Sequence, residues 1–250
     1  MVNETGNVRF GPEVGITKPK DNADVLGSWR GHVDRICDDL EVVKSDSRVF
    51  SNVVHADSRQ ISLVVEPESI DFVITSPPYP NEKDYTRTTR LEAVILGFVR
   101  NAQELRDIKK GLVRSNTRSV YVDDADHREV EDFATIQAIA TQIEARRLEL
   151  GKTSGFEKMY HRVTRLYFGG MRRHLESLKV ILKPGARLAY VVGDQASYLQ
   201  VMIRTGQLLA EIAVACGYEV ESIDLFRTRL ATATKQQLRE EVVVLRWPGD

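Results

Sequence analysis

The sequence predicts a mixed α/β fold, with short buried strands, long amphipathic helices and a closing antiparallel pair. Three observations carry this. Ile70–Thr75 is a β-branched and aromatic run that stops abruptly at Pro77-Pro78, the pattern of a buried strand. Two long stretches, Glu129–Leu148 and Phe156–Ile181, repeat apolar residues every three or four positions, as a half-buried helix does. Near the end, Tyr218–Ile223 and Glu241–Arg246 return to strand composition.

Taken in order, residues 1–30 read as an irregular arm, punctuated by Gly11-Pro12, Lys18-Pro19-Lys20 and Asp21-Asn22, with Phe10 and Trp29 as its packing residues. Residues 31–100 hold a helix over Trp29–Val43, striped by Val33, Ile36, Leu40 and Val43. A strand follows in Val53–Arg59, then a helical link from Gln60 to Val65, the Ile70–Thr75 strand and a helix in Leu91–Val99. Residues 101–175 form a helical insertion. Its two helices bury Val130, Phe133, Ile136, Ala140 and Ile143, and Met159, Val163, Leu166 and Tyr167. Residues 176–250 return to α/β. A Lys183-Pro184-Gly185 turn leads into a strand ending at Asp194, and Thr205 caps a helix that stops at Gly217. The final strands are joined by a polar, basic link, Arg227-Thr228-Arg229 and Thr232–Lys235.

Composition narrows the function. Across 250 residues the hydrophobic share is 42% and the formal charge is −1, so there is no global basic field to hold nucleic acid. Contacts to phosphates must come from local patches. Two isolated cysteines, Cys37 and Cys216, fit a reducing compartment and exclude a disulfide framework or a zinc knuckle. The chain opens polar and acidic and has no apolar run of membrane-spanning length. A cytoplasmic protein without a membrane segment or a metal site is expected.

Ser76-Pro77-Pro78-Tyr79 carries the chemistry. The prolines cannot extend a strand ladder and hold their neighbours extended, making a stiff loop at the carboxyl end of a strand. That edge is where open α/β sheets bind ligands. The loop resembles the S-P-P-Y motif of DNA aminomethyltransferases, which methylate an exocyclic base amine using S-adenosylmethionine. The resemblance implies that the Ser76 hydroxyl and the Pro77 carbonyl accept from the two amine N–H groups, directing the nitrogen lone pair at the methyl sulfonium. Pro78 stiffens the loop. Tyr79 stacks on a target base flipped out of double-stranded DNA. Neither cysteine follows a proline, as the nucleophile of the carbon-5 cytosine enzymes does. The motif taken alone also reads as a rigid turn.

The resemblance extends to both flanks. The order V-x-x-x-D-S-R then I-D-x-V-I-T-S-P-P-Y-P-N looks like the same family, and Ile181–Asp194 resembles the helix end, turn and fifth strand of class I methyltransferases. The implied fold is therefore a partial class I methyltransferase (Rossmann-like) sheet, with a helical insertion after the fourth strand and a terminal antiparallel hairpin. Asp57, at the end of the third strand, is implied to contact the adenine of S-adenosylmethionine; a helix cap is its other reading. The family's glycine-rich cofactor turn, D-P-F-x-G-x-G, is absent, and Phe10–Gly15 lacks the paired spacing. The stretch after the last strand leaves no room for that turn, so a complementing polypeptide is expected to carry it.

A serine at the head of the motif resembles the N4-cytosine enzymes more than the N6-adenine ones. Lys83, Arg87 and Arg90 follow the loop and are implied to meet DNA phosphates. Arg162, Arg165, Arg172 and Arg173, with Arg227, Arg229 and Lys235, form further basic clusters whose alternative is a solvated surface. A cognate restriction endonuclease is an implied partner. The rival reading is a non-catalytic DNA-binding or scaffolding subunit, or an inactive remnant.

Overall fold

A computed structural model describes residues 2–9, 15–43, 50–80, 84–231 and 235–249. The chain divides into two compact units. One comprises Met1–His55 with Tyr85–Asn101, the other Ala56–Asp84 with Ala102–Asp250.

The first unit is mainly helical. Its longest element, α1 (Val25–Val42), starts four residues before the expected Trp29, because Asp24 caps it by accepting from the Gly27 backbone N–H at 2.8 Å. The arm before it holds a short helix, Val2–Thr5, and a two-residue antiparallel pair, Val8–Arg9 with Gly15–Ile16. Phe10 lies outside the described residues. The helix expected at Leu91–Val99 is instead two short turns, Tyr85–Thr88 and Arg90–Ile95.

The second unit is built on a four-stranded mixed sheet. Its strands are β1 (Ile70–Thr75), β2 (Leu182–Gly193), β3 (Glu219–Leu230) and β4 (Gln237–Arg246), in the order β1-β2-β4-β3. β1 runs parallel to β2, and the other two pairings are antiparallel. The mixed α/β class and the closing hairpin are therefore as the sequence predicts. The unit's longest helices are α2 (Ala134–Glu149), α3 (Tyr160–Lys179) and α4 (Thr205–Ala215).

Three expectations are corrected. Val53–Arg59 is not a strand: its backbone is irregular as far as Asp57, and Val53 is 96% exposed. A strand needs a neighbour for its N–H and C=O groups, and the sheet offers none there. Thr205 is the first residue of α4, and Arg204 holds the cap position. Arg227–Arg229 is not a link but part of β3, paired through to Leu230.

Register sorts the sheet into two faces. Val73, Leu188, Leu245 and Val220 form one cross-strand row, and Thr75, Tyr190, Val243 and Ile223 another. These rows pack into the core with α3 and α4. Leu188, Tyr190, Val243 and Leu245 are fully buried there. The Tyr218 hydroxyl donates to the Leu175 carbonyl at 2.8 Å, tying α3 to the sheet. The opposite rows, led by Ile74-Ala189-Val244, are half-buried or exposed except at the Gly193–Glu240 end, which is buried. Phe72 is 69% and Ile74 82% exposed.

α3 has two glycines in its interior, each costing about 1 kcal/mol of helix propensity relative to alanine. The reason is close approach. A Cβ on Gly169 would lie 1.8 Å from the Asp126 carbonyl oxygen. The Asp126 loop therefore sits directly on the helix, and its carboxylate takes Arg59 at 2.6 Å and Arg173 at 2.5 Å.

Candidate active site

The loop is positioned by a strand whose residues leave it no choice of end. Thr75 still pairs with Tyr190; Ser76 through Pro80 then have no ladder, and two of the next three residues lack a donor. Pro80 is buried and anchors the far side, Pro77, Pro78 and Tyr79 are half-buried, and Ser76 is exposed. The Ser76 hydroxyl lies 3.5 Å from the Tyr79 hydroxyl. The structure thus brings the motif's hydroxyl and aromatic ring together, at the carboxyl end of a parallel strand.

The Tyr79 ring rests on Gly193, the last residue of β2. A Cβ at Gly193 would lie 2.8 Å from Tyr79 Cε2 and 3.4 Å from Glu240 Cγ, so only glycine lets the ring sit this low. Glu240 pairs with Gly193 across β2–β4 and binds the Arg227 guanidinium, which also feels Tyr79 electrostatically. Sequence reading missed Gly193, Glu240 and this role for Arg227. The Gly193-Asp194 pair ending a strand marked the place, but its partner 114 positions earlier is a product of the parallel register.

Below this rim lies a buried charge network. Asp194 is fully buried and takes Arg204 Nη1 at 2.5 Å. Glu241, nearly as buried, takes Arg239 Nε at 2.8 Å and sits against Gly206 at the start of α4. Burial, with Asp194 nearby, pushes the Glu241 carboxyl above its usual range despite Arg239 and Arg204.

Asp57 is placed in a structural role. One carboxylate oxygen accepts from the Arg59 backbone N–H at 3.0 Å, capping the short 3₁₀ helix Ser58–Leu63. Both oxygens also receive the Arg59 guanidinium, at 2.7 to 3.2 Å. Burial alone would raise this carboxyl, but the Arg59 hydrogen bonds and charge outweigh it and hold it below its usual value. With no glycine-rich turn in the sequence and Asp57 so engaged, these residues do not by themselves make a site for S-adenosylmethionine.

The predicted phosphate contacts divide. Lys83 lies outside the described residues. Arg87 is on the Tyr85–Thr88 turn, and Arg90 donates to the Thr86 carbonyl at 3.3 Å; both belong to the first unit. The cluster on α3 is drawn into the protein's own bonding. Arg162 donates to the Tyr121 carbonyl, Arg165 to His161, Arg172 to Asp132 and the Glu129 carbonyl, and Arg173 to Asp126. Among the described residues, no His, Cys, Asp and Glu grouping could hold a metal ion, and no helix is long and apolar enough to cross a membrane.

A parallel strand releases Ser-Pro-Pro-Tyr beside a glycine platform, and the chain is similar to known DNA methyltransferases. The chain is 29% identical over 206 residues to the type II methyltransferase M.AvaI of Nostoc sp. (strain PCC 7120), covering 79% of this chain and 42% of that protein. It is 28% identical over 197 residues to the type II methyltransferase M.BsoBI of Geobacillus stearothermophilus, covering 73% and 38%. The chain thus spans less than half the length of the curated relatives it matches. A DNA modification methylase of Thermus thermophilus, solved in complex with S-adenosyl-L-methionine, aligns at 14% identity and a TM-score of 0.39, over 79% of this chain and 57% of that one. No protein-family profile matches the chain.

Proposed function

We propose that this chain is the base-methylating part of a DNA aminomethyltransferase, acting on N4 of cytosine in preference to N6 of adenine. The observation that carries the reading is the seat of Tyr79 on Gly193, at the carboxyl end of the parallel strand that releases Ser76-Pro77-Pro78. A flipped base stacked on that ring would turn its amine toward the Ser76 hydroxyl and the Pro77 carbonyl. Two acceptors on the amine disfavour the planar nitrogen and free its lone pair for the methyl group. No enzyme nucleophile is needed. Cys216 is unsuited to be one, since burial with the neighbouring Glu176 pushes its thiol up to about 12. The serine heading the motif favours cytosine.

S-adenosylmethionine is the proposed methyl donor, with Asp57 meeting its adenine once Arg59 yields one carboxylate oxygen. Its methionine end needs a glycine-rich turn from a polypeptide beyond these 250 residues. Among the described residues no strand pairs with the outer edge of β1, which supports this. Unlike β3, which lines its own edge with Glu219, Glu221, Asp224, Arg227 and Arg229, β1 has a single charge, Asp71, to discourage pairing. Lys83, Arg87 and Arg90 are the proposed phosphate contacts. A cognate restriction endonuclease as partner and the cytoplasm as location are proposed with this reading; the similar proteins are type II methyltransferases. A second reading, a non-catalytic DNA-binding subunit, is favoured by one observation: Arg59 occupies both Asp57 oxygens.

The test is methyl transfer from labelled S-adenosylmethionine to DNA, by the chain alone and with a polypeptide bearing D-P-F-x-G-x-G. Mass analysis of the nucleosides separates N4-methylcytosine from N6-methyladenine. Tyr79→Ala is expected to abolish transfer and spare duplex binding. Undiminished transfer in that variant removes Tyr79 from the mechanism, and binding without transfer under every condition favours the second reading.

A further inference from the structure

β2 stops at Gly193, but the hairpin beside it does not. β3 and β4 continue through Thr228↔Arg239, Arg229↔Leu238 and Leu230↔Gln237. Three residue pairs at about 3.3 Å each carry the hairpin roughly 10 Å past Gly193, the first of them still bonded to the Asp194 N–H through the Arg239 carbonyl. The overhang lies at the end where β1 releases Ser76–Tyr79. Just below it, β3 departs from regular pairing. Leu225 opposes Glu241 and Arg227 opposes Glu240, leaving Phe226 as an extra residue in a bulge. Bulges re-aim side chains and recur beside active sites.

The re-aimed side chain is an aromatic ring left 63% exposed, beside the half-exposed Leu225. Its recorded ring contact is the Arg227 guanidinium, 5.8 Å from the centroid. That guanidinium holds Glu240, which lies with Tyr79 over Gly193. Phe226 is thereby linked through Arg227 and Glu240 to the Gly193 platform under the ring proposed to hold the flipped base. The charge of the segment points the same way. From Leu225 to Glu240 the chain has four basic residues, Arg227, Arg229, Lys235 and Arg239, and one acidic residue, Glu240, in a protein whose formal charge is −1.

An aromatic face backed by cations is how single strands are held: bases stack on the ring and phosphates meet the charges. Extruding a base from a duplex also leaves a gap that an apolar wedge can enter. We infer that the β3–β4 overhang is a binding site for an unstacked DNA strand. In it Phe226 stacks on the base next to the flipped nucleotide, and Arg227 and Arg229 meet its phosphates. This rests on the DNA-methylating reading above.

The test measures anisotropy of a fluorescein-labelled single-stranded DNA of about 20 nucleotides, enough to cover one site. It compares the native chain with Phe226→Ala, Phe226→Trp and Arg227→Gln over a salt series. Phe226→Ala is expected to weaken binding by about 5- to 150-fold, the worth of one stacked base, with an unchanged salt slope. Phe226→Trp keeps a ring and should bind as the native chain does. Arg227→Gln should lower the slope of log K against log salt by about 0.7, one phosphate's worth on a single strand. Melting curves separate misfolding from lost contact, and a Phe226→Ala deficit that Phe226→Trp does not share identifies the ring. Native-strength binding by Phe226→Ala overturns this inference and leaves the methyltransferase reading standing. Absence of any single-strand binding by the native chain at low salt also overturns this inference, while the methyltransferase reading stands or falls by the transfer assay above.

Discussion

The two faces of the sheet are made from the same four strands and have opposite fates. The face under α3 and α4 is dry: Leu188, Tyr190, Val243 and Leu245 are fully buried in the main core. The other is graded along its length. At the amino end it is exposed and ion-paired, with Arg187–Glu221 and Arg246–Glu219 both at 3.1 Å. Its middle is apolar, with Phe72 and Ile74 in solvent, and its carboxyl end holds Tyr79, Gly193 and Glu240. The difference separates the face that makes the unit fold from the face on which the proposed site stands. Burial stabilises at about 25 cal/mol per Å², and only the covered face collects it fully. The open face leaves Phe72 and Ile74 largely in solvent.

Mutations should separate the two. The largest effect is expected behind the covered face, where Arg59 is shared by Asp57 and Asp126. Arg59→Leu leaves both carboxylates short of their partner and should cost about 3–5 kcal/mol in urea unfolding. Leu245→Ala, which opens a cavity in the covered rows, should cost about 2–5 kcal/mol by the same measure. An equally stable Leu245→Ala would mean the contrast between faces is false. At the reactive end of the open face, Gly193→Ala forces the Tyr79 ring aside. A cost of about 1–3 kcal/mol and a displaced ring in a crystal structure are expected.

A pH series sharpens the covered side further. His174 on α3 donates from Nδ1 to the Ser58 carbonyl at 2.9 Å, so its Nε2 accepts from the Tyr190 hydroxyl at 2.8 Å. Burial holds this ring below its usual pKa of 6.5, with the Ser58 bond and Asp57 opposing only in part. A neutral native ring binds fewer protons than the unfolded one. The stability it protects is full above 6.5 and is lost as pH falls through the window between 6.5 and the lower folded value. The urea midpoint should therefore fall on acidification, less steeply in His174→Gln. The smallest effect belongs to Ile74→Thr: within about 0.5 kcal/mol of the native chain by melting, yet with less self-association by light scattering. A large loss of stability there would mean the open face is part of the core.

Elements whose ends are set by local chemistry were legible in the sequence. The bounds of Ile70–Thr75 came out residue for residue because the prolines stop it, though as an edge strand with Phe72 and Ile74 exposed and not the buried strand expected, and Gly217, at φ +92°, ends the helix where expected. Those that depend on a distant partner were not. Val53–Arg59 has strand composition but no neighbour to pair with. Arg227–Arg229 looks like a loop and becomes a strand because β4 runs opposite it. The loop's residues could be read from the motif; the platform under Tyr79 could not, since Gly193 is brought there by parallel pairing. Asp57 shows a residue type that fits two roles, and the structure places it in the cap.

The parallel pairing of β1 with β2 has a kinetic meaning too. Ile70 meets Leu182 across 112 positions of sequence, whereas β3 and β4 join through a short turn. Closing the longer loop costs more chain entropy before any contact repays it, so the hairpin can form early and β1 is expected to zip on late. Among the described residues the strand that presents the proposed catalytic loop pairs with one neighbour, and it is expected to be the first to detach in native-state breathing. Deuterium should enter the amides of Phe72–Thr75 well before those of Val242–Leu245.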